Sequence, residues 1–569
     1  MLQLRLLKSS NNKQGVEKVI DTQFENWSKL TEFKDELINL SDIEKKHRFS
    51  NLISFGTGGM RAIMGAGLNR MNIYTVRLAT TGLAKQIIHD ELPKKVVISY
   101  DTRHNSQRFA KEAAQTLSYY GIKTYLFLEP RPTPMLSYAV RYYEASAGIM
   151  ITASHNPKEY NGYKLYGQDG GQLTPEAVND VRRVMEENIA NLTELPISNE
   201  EPAYILEELE IAYHQELSTL QKQNSKKDLS IVYTPLHGTG LFPIQKGLAD
   251  SGFNKVYIEP SQAVLDGDFP TVDLPNPEEV SAFKLAEELG INKQADILIA
   301  TDPDADRLGV AVLHNEHYHY LTGNQLGALL LHYKLTLLED NHALPKNGVA
   351  LKTIVTSELG RKIAENFNIE MEDTLTGFKY ISEKIEHYNE TEEKTFVFGY
   401  EESYGYLLED FARDKDAIQA AIAVSEMTQQ YKNKQKTLID ALESLYRAYG
   451  YHQEKLISIE LDPIEGTKEV DDLMNKFTSP TEEMINSLAI ESIENYSTSE
   501  RKLIAGGMSK LTLPQENVIK YHLENAAWVC FRPSGTEPKM KIYLGVCADN
   551  EDSANDQLNT LETEIKKLI

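Results

Sequence analysis

Short apolar runs alternate with helix-forming stretches along most of the chain, in an order that repeats three times. In the first copy, an apolar run at residues 96–100 is followed by a helical stretch and by a second run at 125–128. A third run at 148–151 ends the copy and leads into a polar loop. Apolar runs of this length, bounded by turn residues, are typical of buried strands. Strands that alternate with helices predict parallel sheets with helices on both faces.

The second copy follows the same order, and a third, weaker copy comes after it. The second has predicted strands at residues 229–233, 255–258 and 295–300. The third begins with a strand at 349–353 and ends with one at 395–398. In each copy the last strand leads into a loop rich in polar side chains. Because ligands bind beyond the carboxyl ends of the strands in such sheets, we expect the functional residues in these loops.

The C-terminal part of the chain has a different pattern. Residues 451–510 are mixed and acidic, predicted strands at 527–531 and 540–546 flank a polar loop, and an amphipathic helix closes the chain. The predicted fold class is therefore α/β, with three similar domains of parallel or mixed sheets plus a smaller C-terminal α+β domain. We place the domain boundaries at 1–205, 206–325, 326–450 and 451–569.

Composition limits the possible functions of the 569-residue chain, which is long enough for several domains. A net charge of -25 argues against a nucleic-acid or anionic-membrane partner, although a local cationic pocket can still bind a phosphorylated ligand. The only cysteines, Cys530 and Cys547, indicate a reducing compartment. The first residues lack the apolar core of a signal peptide, and no stretch reaches the ~18 apolar residues of a membrane helix. We expect a soluble, cytoplasmic protein of undetermined oligomeric state.

The loop after the strand at 148–151 carries a candidate nucleophile. Its sequence is Thr-Ala-Ser-His-Asn-Pro, with Ser154 at the end of the strand, His155 beside it and Lys164 ten residues further on. A serine hydroxyl is a weak nucleophile that needs a base or a positive neighbour. A turn serine that caps a helix is the simpler alternative for this residue taken alone.

The loop after the strand at 295–300 carries carboxylates at alternating positions, Asp302, Asp304 and Asp306, followed by Arg307. An extended loop would bring the three carboxylates to one point, where a cation must balance their charge. Oxygen ligands without thiols favour Mg²⁺ over zinc. An EF-hand is excluded because its sixth position, a glycine, is Arg307 here. A solvated acidic turn is the alternative.

The loop after the strand at 395–398 suits the hydroxyls of a sugar. Its residues Glu401, Glu402 and Ser403 offer carboxylate acceptors and a hydroxyl that both donates and accepts. An exposed acidic loop is the alternative for these three residues alone. Lys379, in the sequence Thr-Gly-Phe-Lys, adds a cation that is equally typical of a protein surface.

The polar loop of the C-terminal part suits a phosphate dianion. Arg532 offers a guanidinium, Ser534 and Thr536 offer hydroxyls, and the backbone of Gly535 can approach a ligand closely. The same Ser-Gly-Thr sequence is also an ordinary turn between strands. Arg61, in an early glycine-rich segment, is a further cation that by itself is equally typical of a surface.

Taken in order, these loops resemble the signatures of the α-D-phosphohexomutase family, one loop in each predicted domain. The matching stretches are residues 152–157, 302–307, 400–405 and 532–539, and the resemblance covers nearly the whole chain. Family members often have glycine directly before the Glu-Glu-Ser sequence, where this chain has Tyr400. Within the family, the Glu-Glu-Ser sequence itself points to glucose rather than mannose phosphates.

The resemblance implies a heart-shaped, four-domain enzyme that carries a phosphoryl group on Ser154 and uses Mg²⁺. The implied metal ligands are the phosphoserine with Asp302, Asp304 and Asp306. The implied catalytic residues around the reacting phosphoryl group are Ser154, His155, Lys164, Arg61 and Arg307, with Lys164 as general acid or base. The implied substrate-binding residues are Lys379, Glu401 and Ser403 for the sugar, and Arg532, Ser534, Gly535 and Thr536 for the non-reacting phosphate. To accept a hydroxyl proton, Lys164 needs a pKa lowered by burial or by cationic neighbours.

The implied reaction interconverts glucose 1-phosphate and glucose 6-phosphate, with glucose 1,6-bisphosphate as intermediate and activator. Phosphomannomutase and phosphopentomutase activities of the same family are close alternatives. A Mg²⁺-dependent phosphatase with a nucleophilic Asp is a more distant one, because haloacid-dehalogenase-type phosphatases also begin with a strand and Asp-x-Asp. That alternative leaves Ser154, Glu401 and Arg532 without a role. A non-catalytic sugar-phosphate-binding protein would not need a nucleophile beside a metal site.

Overall fold

The structure is a computed structural model whose described residues fall into seven segments. These segments are 13–56, 58–221, 227–460, 466–478, 485, 487–533 and 539–569. Close contacts divide the chain into two units. The first unit comprises residues 1–321, 382–390 and 404–430, and the second comprises 322–381, 391–403 and 431–569.

The first sheet has six strands in the spatial order β1-β5-β4-β2-β3-β6. Its strands are β1 Met60–Ile63, β2 Lys95–Tyr100, β3 Lys123–Phe127, β4 Ala147–Ile151, β5 Tyr160–Tyr166 and β6 Ala203–Ile205. The strands predicted from the apolar runs are β2, β3 and β4, and they lie parallel to one another. Strand β5 runs antiparallel to both of its neighbours, so the sheet is mixed.

The second sheet repeats this arrangement with five strands in the order β11-β10-β9-β7-β8. Its strands are β7 Ser230–Thr234, β8 Lys255–Ile258, β9 Ile297–Thr301, β10 Leu308–His314 and β11 His317–Leu321. The predicted strands β7, β8 and β9 are parallel, and the β10–β11 hairpin adds antiparallel strands beside β9. A third α/β domain follows, in which β12 Gly348–Thr353 lies parallel to β13 Glu370–Thr374 and β14 Thr395–Glu401. A short strand, β15, covers Gly405–Leu407.

The C-terminal domain has a seven-stranded antiparallel sheet in the order β16-β22-β21-β20-β17-β18-β19. Its strands are β16 Tyr451–Glu460, β17 Ile490–Asn495, β18 Glu500–Leu503, β19 Met508–Lys510, β20 Ile519–Leu523, β21 Trp528–Pro533 and β22 Lys539–Ala548. Three α/β domains with mixed sheets and a C-terminal antiparallel domain confirm the predicted fold class. The mixed, acidic stretch after residue 450 contains four of the seven strands, which the apolar pattern did not predict.

Helices connect the strands and cover the sheets. Those of the first three domains are Lys13–Ser28, Lys34–Leu37, Asp42–Phe49, Ile73–His89, Ser106–Tyr119, Thr133–Tyr142, Asn179–Asn188, Glu207–Leu217, Leu241–Asp250, Lys284–Lys293, Gly323–Asp340, Leu359–Asn366, Phe378–Thr391, Ala417–Asn433 and Leu438–Tyr449. The C-terminal domain adds Gly466–Thr478 and Glu551–Leu568. None of the described helices is long and apolar enough to cross a membrane.

The main core of the first unit explains why the nucleophile loop stands where it does. Every residue of β4 is buried, and the alternate residues Ile149 and Ile151 belong to the large apolar core of the first domain. Strand β9 is likewise buried along its whole length. The two strands end at Ile151 and Thr301, and a polar loop follows each of them.

Candidate active site

Ser154 lies just beyond the carboxyl end of β4, in the loop that leaves the first sheet. Its backbone is left-handed, with a φ of 53°, a conformation that costs a non-glycine residue about 1–2 kcal/mol. Its amide donates a hydrogen bond to Thr152 Oγ1 at 2.8 Å, and only 1% of the residue is exposed. Such a backbone persists only where surrounding contacts hold it, so the position of Ser154 is fixed by its neighbours.

The Ser154 hydroxyl contacts residues from two different loops of the first unit. Its Oγ donates a hydrogen bond to Asp302 Oδ2 at 2.7 Å and lies 3.1 Å from His155 Nδ1. Asp302 is the first residue after β9. The structure therefore brings Ser154, His155 and the Asp302 loop together, although 148 residues separate Ser154 from Asp302.

The three aspartates of the second loop form a buried cluster. One oxygen each from Asp302, Asp304 and Asp306 lies within 4.8 Å of the other two, and none of the three residues is more than 2% exposed. Asp304 Oδ1 and Asp306 Oδ1 accept no hydrogen bond from any described residue. Buried carboxylate oxygens without partners are costly unless a cation compensates them. Three carboxylates beside a serine oxygen fit a hard divalent cation such as Mg²⁺.

Lys164 reaches the same cluster from β5, where it pairs in register with Met150 of β4. Its Nζ lies 2.8 Å from Asp304 Oδ2 and 3.3 Å from Asp306 Oδ2, and the residue is buried. Burial acts to lower the pKa of Lys164, but the two carboxylates outweigh it and raise the pKa above its ordinary value. The lowered pKa expected of a proton acceptor is therefore not found with these ion pairs in place. In this arrangement Lys164 is a proton donor.

The environments of Asp302 and Asp306 shift their pKa values in opposite directions. Burial, together with the charges of Asp304 and Asp306, raises the pKa of Asp302 well above its usual range. Burial also opposes ionisation of Asp306, but nearby cations, Lys415 foremost, hold the pKa of Asp306 well below its usual range. The cations of the site therefore favour the ionised form of Asp306, whereas burial and the two neighbouring carboxylates disfavour the ionised form of Asp302.

Lys415 is a residue of this site that sequence reasoning missed. Its Nζ lies 3.2 Å from Asp306 Oδ2 and 3.1 Å from Asp414 Oδ1, and Asp414 Oδ2 accepts a hydrogen bond from Tyr166 at 2.8 Å. The available signal was a run of four charged residues, 413–416, directly before the apolar helix Ala417–Asn433. Charges next to so apolar a helix are buried with it and must pair.

Arg61 and Arg307 each contact a residue of one of the two loops. Arg61, on β1, donates from Nη1 to Asn156 Oδ1 at 3.1 Å. Arg307 forms an ion pair with Glu278, and its Nε lies 3.9 Å from Asp306 Oδ1. Burial first, and then the charge of Arg307, lowers the pKa of Arg61.

The second unit holds the residues predicted to bind the sugar. Glu401 is the last residue of β14 and is buried, and its Oε1 accepts a hydrogen bond from the Gly377 amide at 3.0 Å. Lys379, two residues after Gly377, lies in the first turn of the helix Phe378–Thr391 and is also buried. Ser403 is half-buried. Glu401 and the loop before Lys379 are therefore joined by a direct hydrogen bond.

Glu402 has a different environment from its neighbour. Its Oε2 accepts hydrogen bonds from Thr353 Oγ1 at 3.1 Å and from Thr356 Oγ1 at 3.2 Å. The Glu402 amide also donates to Thr356 Oγ1 at 3.3 Å. These contacts anchor the loop to the end of β12.

Tyr400, the departure from the family pattern, packs into the core of the third domain. It is fully buried, and a Cβ at either Gly327 or Gly360 would lie 2.1 Å from an atom of its ring or hydroxyl. Two helix glycines therefore make the space that the tyrosine fills. Because successive strand residues point to opposite faces, Tyr400 faces these helices while Glu401 faces the other side.

Arg532 lies near the end of β21 and is buried. One of its Nη atoms is 3.7 Å from Glu516 Oε1. Burial acts to lower the pKa of Arg532, but Tyr543, Glu516 and Glu402 outweigh it and raise the pKa. Outside the described residues lie the other predicted phosphate ligands, Ser534, Gly535 and Thr536.

In the first unit, a buried serine hydroxyl thus contacts a cluster of three carboxylates that suit a metal ion, and lysine and arginine side chains lie beside this cluster. The second unit holds a buried arginine and a loop with two carboxylates. Oxygen nucleophiles, hard-metal ligands and cations are the components of enzymes that transfer phosphoryl groups.

Comparisons with known proteins identify the family. Models of the phosphoglucomutase/phosphomannomutase alpha/beta/alpha domains I, II and III match residues 52–191, 211–315 and 322–449. The phosphoglucomutase of Staphylococcus aureus (strain MSSA476) is 38% identical over 527 residues, covering 92% of this chain and 94% of that protein. That of Staphylococcus haemolyticus (strain JCSC1435) is 38% identical over 548 residues, covering 94% and 98%. The structure of a putative phosphomannomutase from Thermus thermophilus has a TM-score of 0.68 and 21% identity, covering 91% and 99%. The chain belongs to the phosphoglucomutase/phosphomannomutase family, which confirms the resemblance drawn from its loops.

Proposed function

We propose that this protein is a phosphoglucomutase, which interconverts glucose 1-phosphate and glucose 6-phosphate through glucose 1,6-bisphosphate. The observation that carries the proposal is the buried Ser154 hydroxyl, 2.7 Å from Asp302 Oδ2 in a cluster of three carboxylates. The relatives named phosphoglucomutase, at 38% identity over most of the chain, support glucose as the sugar. Phosphomannomutase and phosphopentomutase activities are the alternatives within the family.

The proposed step begins with a phosphoryl group on Ser154. The free hydroxyl oxygen of the sugar phosphate attacks phosphorus, the bond between phosphorus and Oγ breaks, and the sugar becomes glucose 1,6-bisphosphate. The hydroxyl proton is passed through a neighbouring side chain to Oγ, so charge and atoms balance. The bisphosphate then turns and returns its other phosphoryl group to Ser154, which releases the isomeric product.

In this proposal Ser154 Oγ, Asp302, Asp304 and Asp306 would hold Mg²⁺, which neutralises charge on the transferring group. The protein's own cations, Arg61 and Arg307, supply further charge for the equatorial oxygens.

Lys164 and His155 are the proposed carriers of the hydroxyl proton. Lys164 Nζ lies 2.8 Å from Asp304 Oδ2, and His155 Nδ1 lies 3.1 Å from Ser154 Oγ. A general acid or base must stand within hydrogen-bonding reach of the proton that it moves. His155 meets this condition directly at Oγ, and the protonated Lys164 suits the donor role.

The second unit supplies the proposed contacts to the part of the substrate that does not react. Glu401 and Ser403 would bind sugar hydroxyls, with Lys379 beside them. The guanidinium of Arg532 would bind the non-reacting phosphate in a bidentate manner. We propose that the same phosphate is also bound by Ser534, Gly535 and Thr536.

Neutralising one aspartate of the cluster should weaken the binding of Mg²⁺. Asp304→Asn should raise the Mg²⁺ concentration for half-maximal activity by at least about tenfold, because an amide is a poorer ligand for a hard dication. The matched control is Asp296→Asn at the other end of β9, where the carboxylate accepts from the Ser230 amide at 2.7 Å. Titration of chelator-treated protein with Mg²⁺ measures both, and full wild-type activity without metal would contradict the metal site.

Variants in the two substrate-binding loops should change the kinetics in different ways. Arg532→Ala removes a charged contact of about 1.5–3 kcal/mol that is used in both orientations of the intermediate, so kcat/KM should fall roughly tenfold or more for every sugar. Because the family resemblance implies that Glu401 binds the 3- and 4-hydroxyls, Glu401→Gln should chiefly change the ratio of kcat/KM between sugars that differ there, such as glucose and galactose 1-phosphates. Kinetics on both sugars measure the two effects. An identical sugar profile and an identical loss in both variants would contradict this division.

A coupled assay tests the function itself. We expect turnover of glucose 1-phosphate to exceed that of mannose, glucosamine and pentose 1-phosphates, without release of inorganic phosphate. Phosphate release would favour the alternative in which an aspartate of the 302–306 loop is the nucleophile of a phosphatase. Against that alternative, Asp302 is fully buried and both its oxygens accept hydrogen bonds, from Ser154 and from the Asp306 and Arg307 amides.

The proposal includes a cytoplasmic location and four domains with one functional loop each. Cys530 and Cys547 are both free thiols, which supports a reducing compartment. The proposed domains cover residues 1–205, 206–325, 326–450 and 451–569.

A further inference from the structure

We infer that Arg103 is a positioning residue for the Ser154 nucleophile, an inference that rests on the proposed function of Ser154. Arg103 follows the carboxyl end of β2, the strand that lies beside β4 in the first sheet. Its side chain is fully buried. The guanidinium reaches the backbone of the loop that carries the nucleophile.

Four carbonyl groups of this loop accept hydrogen bonds from Arg103. Its Nη2 donates to Ser154 O at 2.6 Å and to Asn156 O at 2.5 Å. Its Nη1 donates to Pro157 O at 2.7 Å and to Tyr160 O at 3.2 Å. Buried carbonyls need donors, and a loop between two strands cannot supply enough of them itself. Arg103 therefore satisfies the buried carbonyl groups of the loop and fixes its backbone conformation.

The amide side of Ser154 is held through the same part of the chain. Ser154 N donates to Thr152 Oγ1 at 2.8 Å, and Thr152 Oγ1 in turn donates to Asp101 Oδ2 at 2.7 Å. Asp101 Oδ2 also lies 3.2 Å from Arg103 Nε. The Asp101–Arg103 ion pair thus holds both the amide and the carbonyl of a residue whose φ is 53°. Removing the hydrogen bond at the Ser154 amide or the one at its carbonyl would let the Ser154 backbone relax toward ordinary φ and ψ angles.

A segment before the second domain's β9 holds Arg103 from its other side. The guanidinium carbon lies over the Phe269 ring, 5.0 Å from its centroid. Gly267 approaches the adjacent backbone so closely that a Cβ there would lie 2.6 Å from His104 N. Arg103 is consequently fixed between an aromatic ring and the nucleophile loop, and its donors are arranged before any substrate binds.

Lysine cannot replace this arrangement, because one ammonium group cannot reach four carbonyls as a planar fork does. Arg103→Lys should therefore lower kcat by roughly 10- to 100-fold, the effect expected of a misplaced reacting group. KM for glucose 1-phosphate should stay within about twofold, because Glu401 and Arg532, the proposed substrate contacts, are untouched.

The experiment compares Arg103→Lys with Arg77→Lys, a matched control. Arg77 is another largely buried arginine, which donates to Leu195 O at 2.9 Å and pairs with Glu112 at 2.6 Å. The measurements are kcat, KM, the rate of Ser154 phosphorylation by glucose 1,6-bisphosphate and tryptic cleavage after Lys158. Lys158 belongs to the loop that Arg103 holds, and its side chain is half exposed. We expect slower phosphorylation and several-fold faster cleavage at Lys158 in Arg103→Lys only.

A second variant keeps the inference testable if Arg103→Lys does not fold. Phe269→Leu leaves the guanidinium in place but removes the aromatic face beneath it, and it should change kcat and cleavage in the same directions by less. Wild-type kcat and wild-type cleavage in both variants would overturn the inference, as would equal changes in Arg77→Lys.

Ser154→Ala separates this inference from the proposed function. It keeps the carbonyl that Arg103 binds, so it should resist cleavage at Lys158 like the wild type while lacking activity. An active Ser154→Ala protein would contradict the proposed function, yet the cleavage comparison would still decide whether Arg103 holds the loop.

Discussion

Replacing Ser154 by alanine should lower kcat by on the order of 10³-fold or more, because the variant has no oxygen to carry the phosphoryl group. The backbone should keep its conformation, since the Ser154 amide and carbonyl retain their partners Thr152 and Arg103. The lost hydroxyl donates one hydrogen bond to Asp302, so the effect on folding should be small beside that on turnover. A coupled assay measures kcat, and peptide mass spectrometry of the wild type should find phosphate on Ser154.

A serine at the opposite end of the same strand provides the control. Ser146 directly precedes β4 and donates a hydrogen bond to Lys95 O at 2.9 Å. Ser146→Ala removes a comparable hydrogen bond from the same sheet and should retain wild-type turnover. Substantial turnover by Ser154→Ala, or an equal loss in Ser146→Ala, would refute the role of Ser154.

The sequence predicted those parts of the fold that depend on local apolar patterns. The run at 148–151 is β4, extended by one residue to Ala147, and the run at 295–300 corresponds to β9. Both strands are buried on each face, so their apolar residues are contiguous and readily seen. The loops that follow them are equally local, which is why Ser154 and the three aspartates were found together with their strands.

Features that depend on distant partners were not predicted. Strand β16, Tyr451–Glu460, is polar and only partly buried, and it forms because it pairs with β22 along ten residues. The sequence named Lys164 as a candidate residue. It predicted neither the strand β5 that carries Lys164 nor its ion pair with Asp304, which is 140 residues away in sequence. Lys415 and Arg103 were missed for the same reason, since nothing beside them in sequence shows what their charges contact.

The sugar-binding loop shows how the structure refines a residue set. By residue type alone Glu401 and Glu402 are alike, as two carboxylates for hydroxyl groups, and the family resemblance implies Glu401 as the one that binds the sugar. In the structure Glu402 accepts from the Thr353 and Thr356 hydroxyls, whereas Glu401 accepts from the Gly377 amide near Lys379. Both carboxylates therefore accept hydrogen bonds from the protein itself, Glu402 from hydroxyls and Glu401 from an amide. Glu401 is the one that the family resemblance implies for sugar recognition, and its variant is therefore the one tested above.

Protein that lacks phosphate on Ser154 should be nearly inactive on glucose 1-phosphate alone, and catalytic amounts of glucose 1,6-bisphosphate should restore its rate. In the proposed mechanism each turnover begins and ends with the phosphoryl group on the enzyme. The intermediate must turn within the site, and such steps require loops or domains to loosen. A bisphosphate that escapes during this step leaves a bare serine, whose hydroxyl then donates to Asp302 as in the structure described here. That bare enzyme has no phosphoryl group to give.

The measurement is the time course of product formation by enzyme shown by mass spectrometry to lack phosphoserine, with substrate freed of bisphosphate. We expect a lag that shortens as glucose 1,6-bisphosphate is added, while phosphorylated enzyme from the same preparation starts at full rate. Ser154→Ala should stay inactive at every bisphosphate concentration, because it cannot be recharged. Immediate full-rate turnover by the bare enzyme would mean that the phosphoryl group moves between substrate positions without visiting Ser154. The role proposed for Ser154 as the phosphoryl carrier would then have to be abandoned, and the cleavage comparison alone would decide whether Arg103 holds the loop.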